Sequence, residues 1–277
     1  MRFLQCACQS GWSLWSSVRR APADRGGEPA AAPSGGPVDR SALEDLAIAS
    51  RILADQGVFD AFGHISMRHP GAADRFLMSR SLAPALVRAD DIMEFDLDSR
   101  ACEARGRAAF FERFIHGQIY KARPDVAAIV HSHSLSVIPF GLVKTPMRAM
   151  YHNAAFVAEG VPVFDIRQKF GATDMLVGDN AKGAELARTL GTKCVCLMRA
   201  HGSVAVGPTL QIAVFRAVMT ENNARVQSQA VLLGGPIEAL DAEEGRLADA
   251  VNLNVVGRPW ELWKKRVAAG PSTPPIN

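Results

Sequence analysis

FFERFIHGQIYKARPDVAAIVHSH, residues 110–133, is the segment from which the rest of the chain can be read. Its first half has helical period from Phe110 to Lys121 and stops before Pro124, which cannot continue a helix. Its second half, Val126 to His131, is a short apolar run, the mark of a buried strand. Glu112 and His116 are four residues apart and would share one helix face. His131 and His133 are two apart at a strand end, where period two points both side chains to one side. Phe110, Phe111, Phe114 and Ile115 make the surroundings of Glu112 apolar. A carboxylate placed there is paired, metal-bound or raised in pKa.

Beyond this segment the histidines are few. The chain has seven, and His116, His131, His133 and His201 fall within three short motifs: Glu112-x-x-x-His116, His131-Ser-His133 and His201-Gly202. Three or four imidazoles and a carboxylate form the inventory of a catalytic divalent-metal site. Each motif alone also has a plain reading: a solvated helical pair, a polar strand end, a structural histidine.

Working outward, Ser41-x-x-Glu44 is a capping box that opens a helix of about four turns, stopped by Gly57. Gly63–Arg68, Arg75–Ser79 and Ile92–Leu97 read as short strands between Pro, Gly and Asp turns. Val161–Asp165 and Lys193–Met198 read as further buried strands, Asn180–Leu190 and Leu210–Leu233 as helices, and Trp260 and Trp263 as part of a last amphipathic piece. The alternation is irregular and lacks βαβ spacing. The expectation is an α/β protein with a mixed or antiparallel sheet covered by helices, not a doubly wound parallel sheet.

The bulk numbers narrow the function. The formal charge is +3, of which residues 1–40, with five Arg and three acidic residues, contribute +2. The body is close to neutral, which excludes a nucleic-acid footprint. No stretch approaches the roughly 20 apolar residues of a membrane span. Five cysteines in neither a zinc-ribbon nor a secreted pattern indicate a reduced, cytoplasmic setting. Cys194 and Cys196 alternate with Val195 and are expected on one face of a strand. Residues 1–38 differ in composition from the rest. Ala21–Pro37, rich in Pro, Gly and Ala, is expected to be disordered, and the whole extension is read as a dispensable tail on a single catalytic domain, 39–277.

Five stretches together carry a resemblance: Gly63-His-Ile-Ser66, Glu112-Arg-Phe-Ile-His116, Ala122-Arg-Pro-Asp125, His131-Ser-His133 and Ala200-His-Gly202. In order and spacing they resemble the class II aldolase/adducin family over roughly residues 41–265. The resemblance implies a three-layer α/β/α sandwich with a mainly antiparallel central sheet, and a homotetramer with active sites between subunits. It implies His131, His133 and His201 as metal ligands, with Glu112 as acid/base and near the metal.

The chain departs from the sugar-phosphate members of that family. Their Ser-Ser pair before the catalytic Glu is Phe110-Phe111 here, their Asn is His64, and their Thr-Gly element aligns with Ser79-Arg80. A phosphate needs several short N–H or O–H donors, and two phenyl rings supply none. Rings offer flat apolar contact and an Arg offers a fork for a carboxylate. Phe110 and Phe111 are also readable as core, and Arg80 as a surface or interface residue. Together with Ser79-Arg-Ser-Leu-Ala-Pro84 and Met150-Tyr-His-Asn153, the pattern resembles the decarboxylase branch, which acts on 3,4-dihydroxyphthalate or on hydroxy-carboxy-muconic semialdehydes.

The expected enzyme is therefore a carbon–carbon lyase that removes carbon dioxide from a small carboxylic acid in aromatic catabolism. An aldolase acting on a non-phosphorylated hydroxy-carbonyl compound is the alternative. Glu112 is the first choice of proton carrier, in a pocket expected to raise its pKa; Tyr151, His152 and His116 follow. His64, Ser79, Arg80, Phe111 and His116 are the candidate substrate contacts. Three imidazoles suit zinc best, with manganese, cobalt, iron or magnesium behind it. No organic cofactor, nucleic acid or membrane partner is expected.

Overall fold

Side chains alternate across a strand, and here the alternation sorts the apolar residues into two cores, one on each side of a sheet. A computed structural model describes residues 31–269. In chain order its elements are α1 (Arg40–Asp55), β1 (His64–His69), β2 (Ala72–Ser79), β3 (Ile92–Asp96), α2 (Phe114–Ala122), β4 (Ala128–Ser132) and β5 (Val163–Phe164). They continue with α3 (Arg167–Phe170), α4 (Asn180–Leu190), β6 (Val195–Met198), β7 (Gly202–Gly207), α5 (Leu210–Leu233), α6 (Ala242–Val255) and α7 (Gly257–Ala268). Among the described residues the seven strands form one sheet in the order β3-β2-β1-β4-β7-β6-β5. All pairs are antiparallel except β5 with β6.

One core joins Leu77, Ala128, Val130, Val195 and Ala205 of the sheet to α1, α5 and α7. The other joins Phe76, Met78, Ile129, Cys196, Val204 and Val206 to Ile115 and Ile119 of α2 and Leu186 and Leu190 of α4. The fold is thus helix, sheet, helix in three layers, with β1, β4 and β7 in the middle. Burying large side chains such as Phe76 and Leu186 contributes about 1.5–3 kcal/mol each.

Several elements differ from the sequence reading. The helix expected over Phe110–Lys121 is broken: Phe111–Arg113 is a single 3-10 turn, and Glu112 has non-helical angles (φ −89°, ψ 20°). Glu112 and His116 therefore do not share one regular helix face. The strand expected over Val161–Asp165 shrinks to Val163–Phe164 at the sheet edge. Strand β7 and helix α6 escaped the reading; β7 is rich in Gly, Ala and Ser and lacks a long apolar run. Cys194 lies before β6 and packs on the first core while Cys196 enters the second, so the two are not on one face.

Met1–Ala30, most of the expected tail, lies outside the described residues. Residues 32–36 correct the expectation of disorder for that part of the segment. Ser34 Oγ and the Gly35 N–H donate to the Glu94 carboxylate, Arg75 Nε donates to the Pro33 carbonyl at 2.8 Å, and Ala32 is buried. A Pro-Gly segment carries few side chains, but its backbone groups still bond to β2 and β3.

Candidate metal centre

The site lies on the α2/α4 side of the sheet, at one end of the central strands. His131 is the fourth residue of β4 and His133 follows that strand directly. His201 precedes β7. The chain there turns through Ala200, a non-glycine residue at φ 54°, into Gly202, where an added Cβ would fall 1.9 Å from the Ser132 carbonyl oxygen. Only glycine lets β7 approach β4 this closely, and that approach brings His201 beside His131 and His133. Glu112 enters from the 3-10 turn ahead of α2.

These four side chains place one donor atom each within 4.8 Å of the others. His133 Nε2 is 3.2 Å from His131 Nε2 and 3.1 Å from His201 Nε2. Glu112 Oε2 is 3.6 Å from His131 Nε2 and 3.4 Å from His201 Nε2. Donors held by a tetrahedral zinc at 2.0–2.1 Å lie about 3.3 Å apart.

The ring protons decide between a hydrogen-bonded cluster and a cation site. His131 Nδ1 faces the Ser203 carbonyl at 3.2 Å and His201 Nδ1 faces the Met175 carbonyl at 3.1 Å. A carbonyl accepts, so both Nδ1 atoms donate, and in a neutral ring Nε2 is then a bare lone pair. Two lone pairs, the third imidazole and a carboxylate oxygen face one another, and one proton on His133 could serve only one of them. A divalent cation satisfies all four, and the backbone carbonyls that orient the rings are the usual support of such ligands. The residues therefore fit a metal.

Burial pushes the Glu112 carboxyl up, while positive charge at the His131 and His201 end of the cluster, from ring protons or from a bound cation in their place, pulls it below the usual carboxylate range. The expected rise in its pKa does not occur. Its Oε1 accepts the Val177 N–H at 2.8 Å, which leaves Oε2 for the cluster. Burial, with help from the neighbouring imidazoles His131 and His201, lowers His133 to about 4.

A second group of polar side chains lies against the first. His64, paired across the sheet with His131, tilts its ring against that residue with centroids 5.0 Å apart. His64 Nδ1 meets His116 Nε2 at 2.7 Å, His116 Nδ1 meets Ser66 Oγ at 2.6 Å, and Ser66 Oγ meets the Tyr120 hydroxyl at 2.8 Å. All four residues are buried. Burial lowers His116 to about 3 and pushes His64 well below its ordinary value, so both rings are neutral.

An open cavity of about 670 Å³ borders the cluster, lined on its polar side by His64, Ser81, Glu112 and His133 and on its apolar side by Phe62, Phe110, Phe111 and Leu176 among others. Phe110 tilts against His64 with ring centroids 4.7 Å apart and also packs on the second core. Phe111 is exposed and its ring closes on Gly178.

Other sequence candidates lie elsewhere. Arg80 is not among the lining residues; its Nε donates to Asp91 at 2.7 Å. Ser79 is buried in β2, and Ser81, two residues on, faces the cavity instead. His116 reaches the cavity only through His64. Tyr151 donates its hydroxyl to Met219 Sδ, and His152 is exposed with its carbonyl bonded by Asn252. Neither lines the cavity within one chain. Sequence reasoning missed Ser81, Tyr120, Met175 and Val177. Tyr120 had a signal, four residues after His116; the backbone groups of Met175 and Val177 had none.

Comparison with known proteins agrees with this geometry. Residues 44–228 match the family model described as Class II Aldolase and Adducin N-terminal domain. A protein named decarboxylase tropJ, from Talaromyces stipitatus, is 34% identical over 79% of this chain and 91% of its own length. A 3,4-dihydroxyphthalate decarboxylase from Arthrobacter keyseri is 30% identical over 75% of this chain and 86% of its own. In fold, the chain is similar to an aldolase II superfamily protein from Pseudomonas syringae, with a TM-score of 0.71 and 22% identity, covering 85% of this chain and 95% of that one.

Proposed function

The chain belongs to the class II aldolase and adducin family, on its decarboxylase branch, and from that premise we propose that it is a metal-dependent decarboxylase of a planar, hydroxylated aromatic dicarboxylic acid. The enzyme is a carbon–carbon lyase. The substrate class is of the 3,4-dihydroxyphthalate type, with the ring-cleavage hydroxy-carboxy-muconic semialdehydes as the neighbouring chemistry. The observation that carries the reading is the joining of a three-imidazole, one-carboxylate cluster to a cavity walled by Phe110 and Phe111.

His131, His133 and His201 would hold the metal, with Glu112 at its side; three imidazoles favour zinc, then manganese, cobalt or iron, with magnesium last. A bound divalent ion supplies Lewis-acid stabilisation of the negative charge that loss of carbon dioxide leaves conjugated to a substrate oxygen. The chain's own groups do the rest. Phe110, Phe111 and Leu176 give a flat ring an apolar bed. His64 and Ser81 offer polar contacts to a carboxylate on the polar wall. Glu112 is the candidate proton carrier: its carboxylate would accept the proton of an acidic substrate hydroxyl and return it to carbon after carbon dioxide departs.

A homotetramer belongs to the same proposal. Leu135, Leu142, Val143, Leu232 and Leu233 are exposed apolar side chains of the kind that subunit contacts cover. Among the described residues no helix is long and apolar enough to cross a membrane.

The test is carbon dioxide release by purified, metal-loaded protein from 3,4-dihydroxyphthalate, with a hydroxy-carboxy-muconic semialdehyde in parallel. The expected result is release that a chelator stops and added metal restores. Cleavage of hydroxy-carbonyl compounds by metal-loaded protein, with no carbon dioxide from either acid, would replace the proposal with an aldolase.

A further inference from the structure

The chain of side chains from Tyr120 to His64 touches the metal centre without joining it, and its protons can be counted. Three links connect four groups, and each link holds one proton. Two continuous directions are open, because letting the Ser66 oxygen accept from both neighbours would strand its own buried proton. In one, Tyr120 donates to Ser66, Ser66 to His116 Nδ1, and His116 Nε2 to His64 Nδ1. In the other every arrow reverses, and the Tyr120 O–H must point away from Ser66. Among the described residues Ser66 is the only hydrogen-bond partner of that hydroxyl, and Tyr120 is 1% exposed. The reversed direction strands a buried O–H without an acceptor, a costly arrangement. The first direction leaves no proton stranded. It puts the His64 proton on Nε2, the nitrogen His116 does not use, on a ring that lines the cavity.

We propose that Ser66 and Tyr120 are positioning residues that fix the direction of this chain, so that His64 presents an N–H donor to the cavity and selects substrates offering an acceptor oxygen there. The inference rests on the cavity being a carboxylic-acid site. It makes Ser66 and Tyr120, which touch no substrate, determinants of specificity. It also separates this chain from a proton wire. Tyr120 has no outlet to solvent, and burial pushes its phenol well above the ordinary value. A wire needs a far end that gives up and recovers protons; this chain ends in a fixed hydroxyl.

The first arm of the test reads ring protonation directly, without substrate. Full-length, metal-loaded protein labelled with 15N-histidine, observed by long-range 1H–15N correlation at neutral pH, should show His64 and His116 both protonated at Nε2 and bare at Nδ1. A proton on His64 Nδ1 overturns the proposal. The second arm uses Ser66→Ala and Ser66→Thr with 3,4-dihydroxyphthalate as probe. Ser66→Ala should mix the two tautomers at His64 and raise KM about twofold, because a donor form populated about half the time halves the apparent affinity, with metal content unchanged and kcat altered less. Ser66→Thr, which keeps the hydroxyl, should restore both readouts. An unmixed His64 tautomer in Ser66→Ala overturns the positioning role. A protein that holds the expected tautomer yet releases no carbon dioxide overturns the functional reading alone.

Discussion

Two groups of histidines lie side by side in this molecule and differ in one respect, what occupies the second nitrogen of each ring. In the first group, His131 and His201 spend Nδ1–H on backbone carbonyls, and their Nε2 lone pairs converge with His133 and Glu112. In the second, His64 and His116 face each other at 2.7 Å and close the circuit with two hydroxyls. Residue type is the same, and burial differs only in that His133 and His201 are partly exposed. The backbone acceptors beside His131 and His201 leave the first group short of positive charge, while two hydroxyls complete the second. A histidine cluster is thus diagnosed as a cation site by its unmatched lone pairs, not by its imidazole count.

The sharpest way to break the comparison is to remove a ligand. His131→Ala and His201→Ala should each lower metal content and carbon dioxide release together. The loss should exceed roughly 100-fold, because removing even a supporting group around a ligand costs about 10–100-fold. Elemental analysis beside the activity assay checks this; full activity without metal would end the assignment.

A smaller effect tests the second group. His116 is neutral in the fold down to about pH 3, against 6.5 for the unperturbed ring. Between those values the unfolded chain binds a proton that the folded chain refuses, so stability falls as pH falls. The slope is up to about 1.4 kcal/mol per pH unit from this residue. Denaturant unfolding of metal-free protein across that window should therefore steepen with acid in the wild type and flatten in His116→Gln. Equal slopes would place a proton on His116 in the folded state.

The smallest expected effect belongs to the cavity wall. Phe111 is exposed, so Phe111→Ser should leave unfolding within about 0.5 kcal/mol of wild type. The loss of one aromatic contact, about 0.5–1.5 kcal/mol, should raise KM for a planar acid roughly 2–10-fold. Equal loss for a non-planar acid would deny Phe111 a stacking role.

The sequence made the first group legible and the second only half so. His131-Ser-His133, His201-Gly202 and Glu112 announce themselves by residue type and spacing. Irregular alternation gave a mixed or antiparallel sheet covered by helices, and the family resemblance that these motifs carry implied the three layers. His64 and His116 were visible as separate residues. Their joining is tertiary: strand β1 and helix α2 meet at His64–Ser66 and His116–Tyr120, two residues apart on the strand and four on the helix. The break at Glu112 was hidden because Phe111-Glu-Arg-Phe has helical character, and tertiary packing overrode it. Arg80 pairs with Asp91 in the chain, in line with the surface reading that the sequence also allowed, because a guanidinium meets a carboxylate of its own chain as readily as one on a ligand.

One short stretch, Met175 to Val177, has a consequence of its own. The Met175 carbonyl orients His201 and the Val177 N–H orients Glu112, and Met175 sits at φ 71°, a conformation a side chain resists. Two of the four donors therefore depend on a connection that carries no strand pairing. Its opening would remove the backbone partner of both donors without breaking the sheet. A bound ion would then be expected to exchange with local opening of this connection and not with global unfolding, which the rate of stripping by a chelator would read.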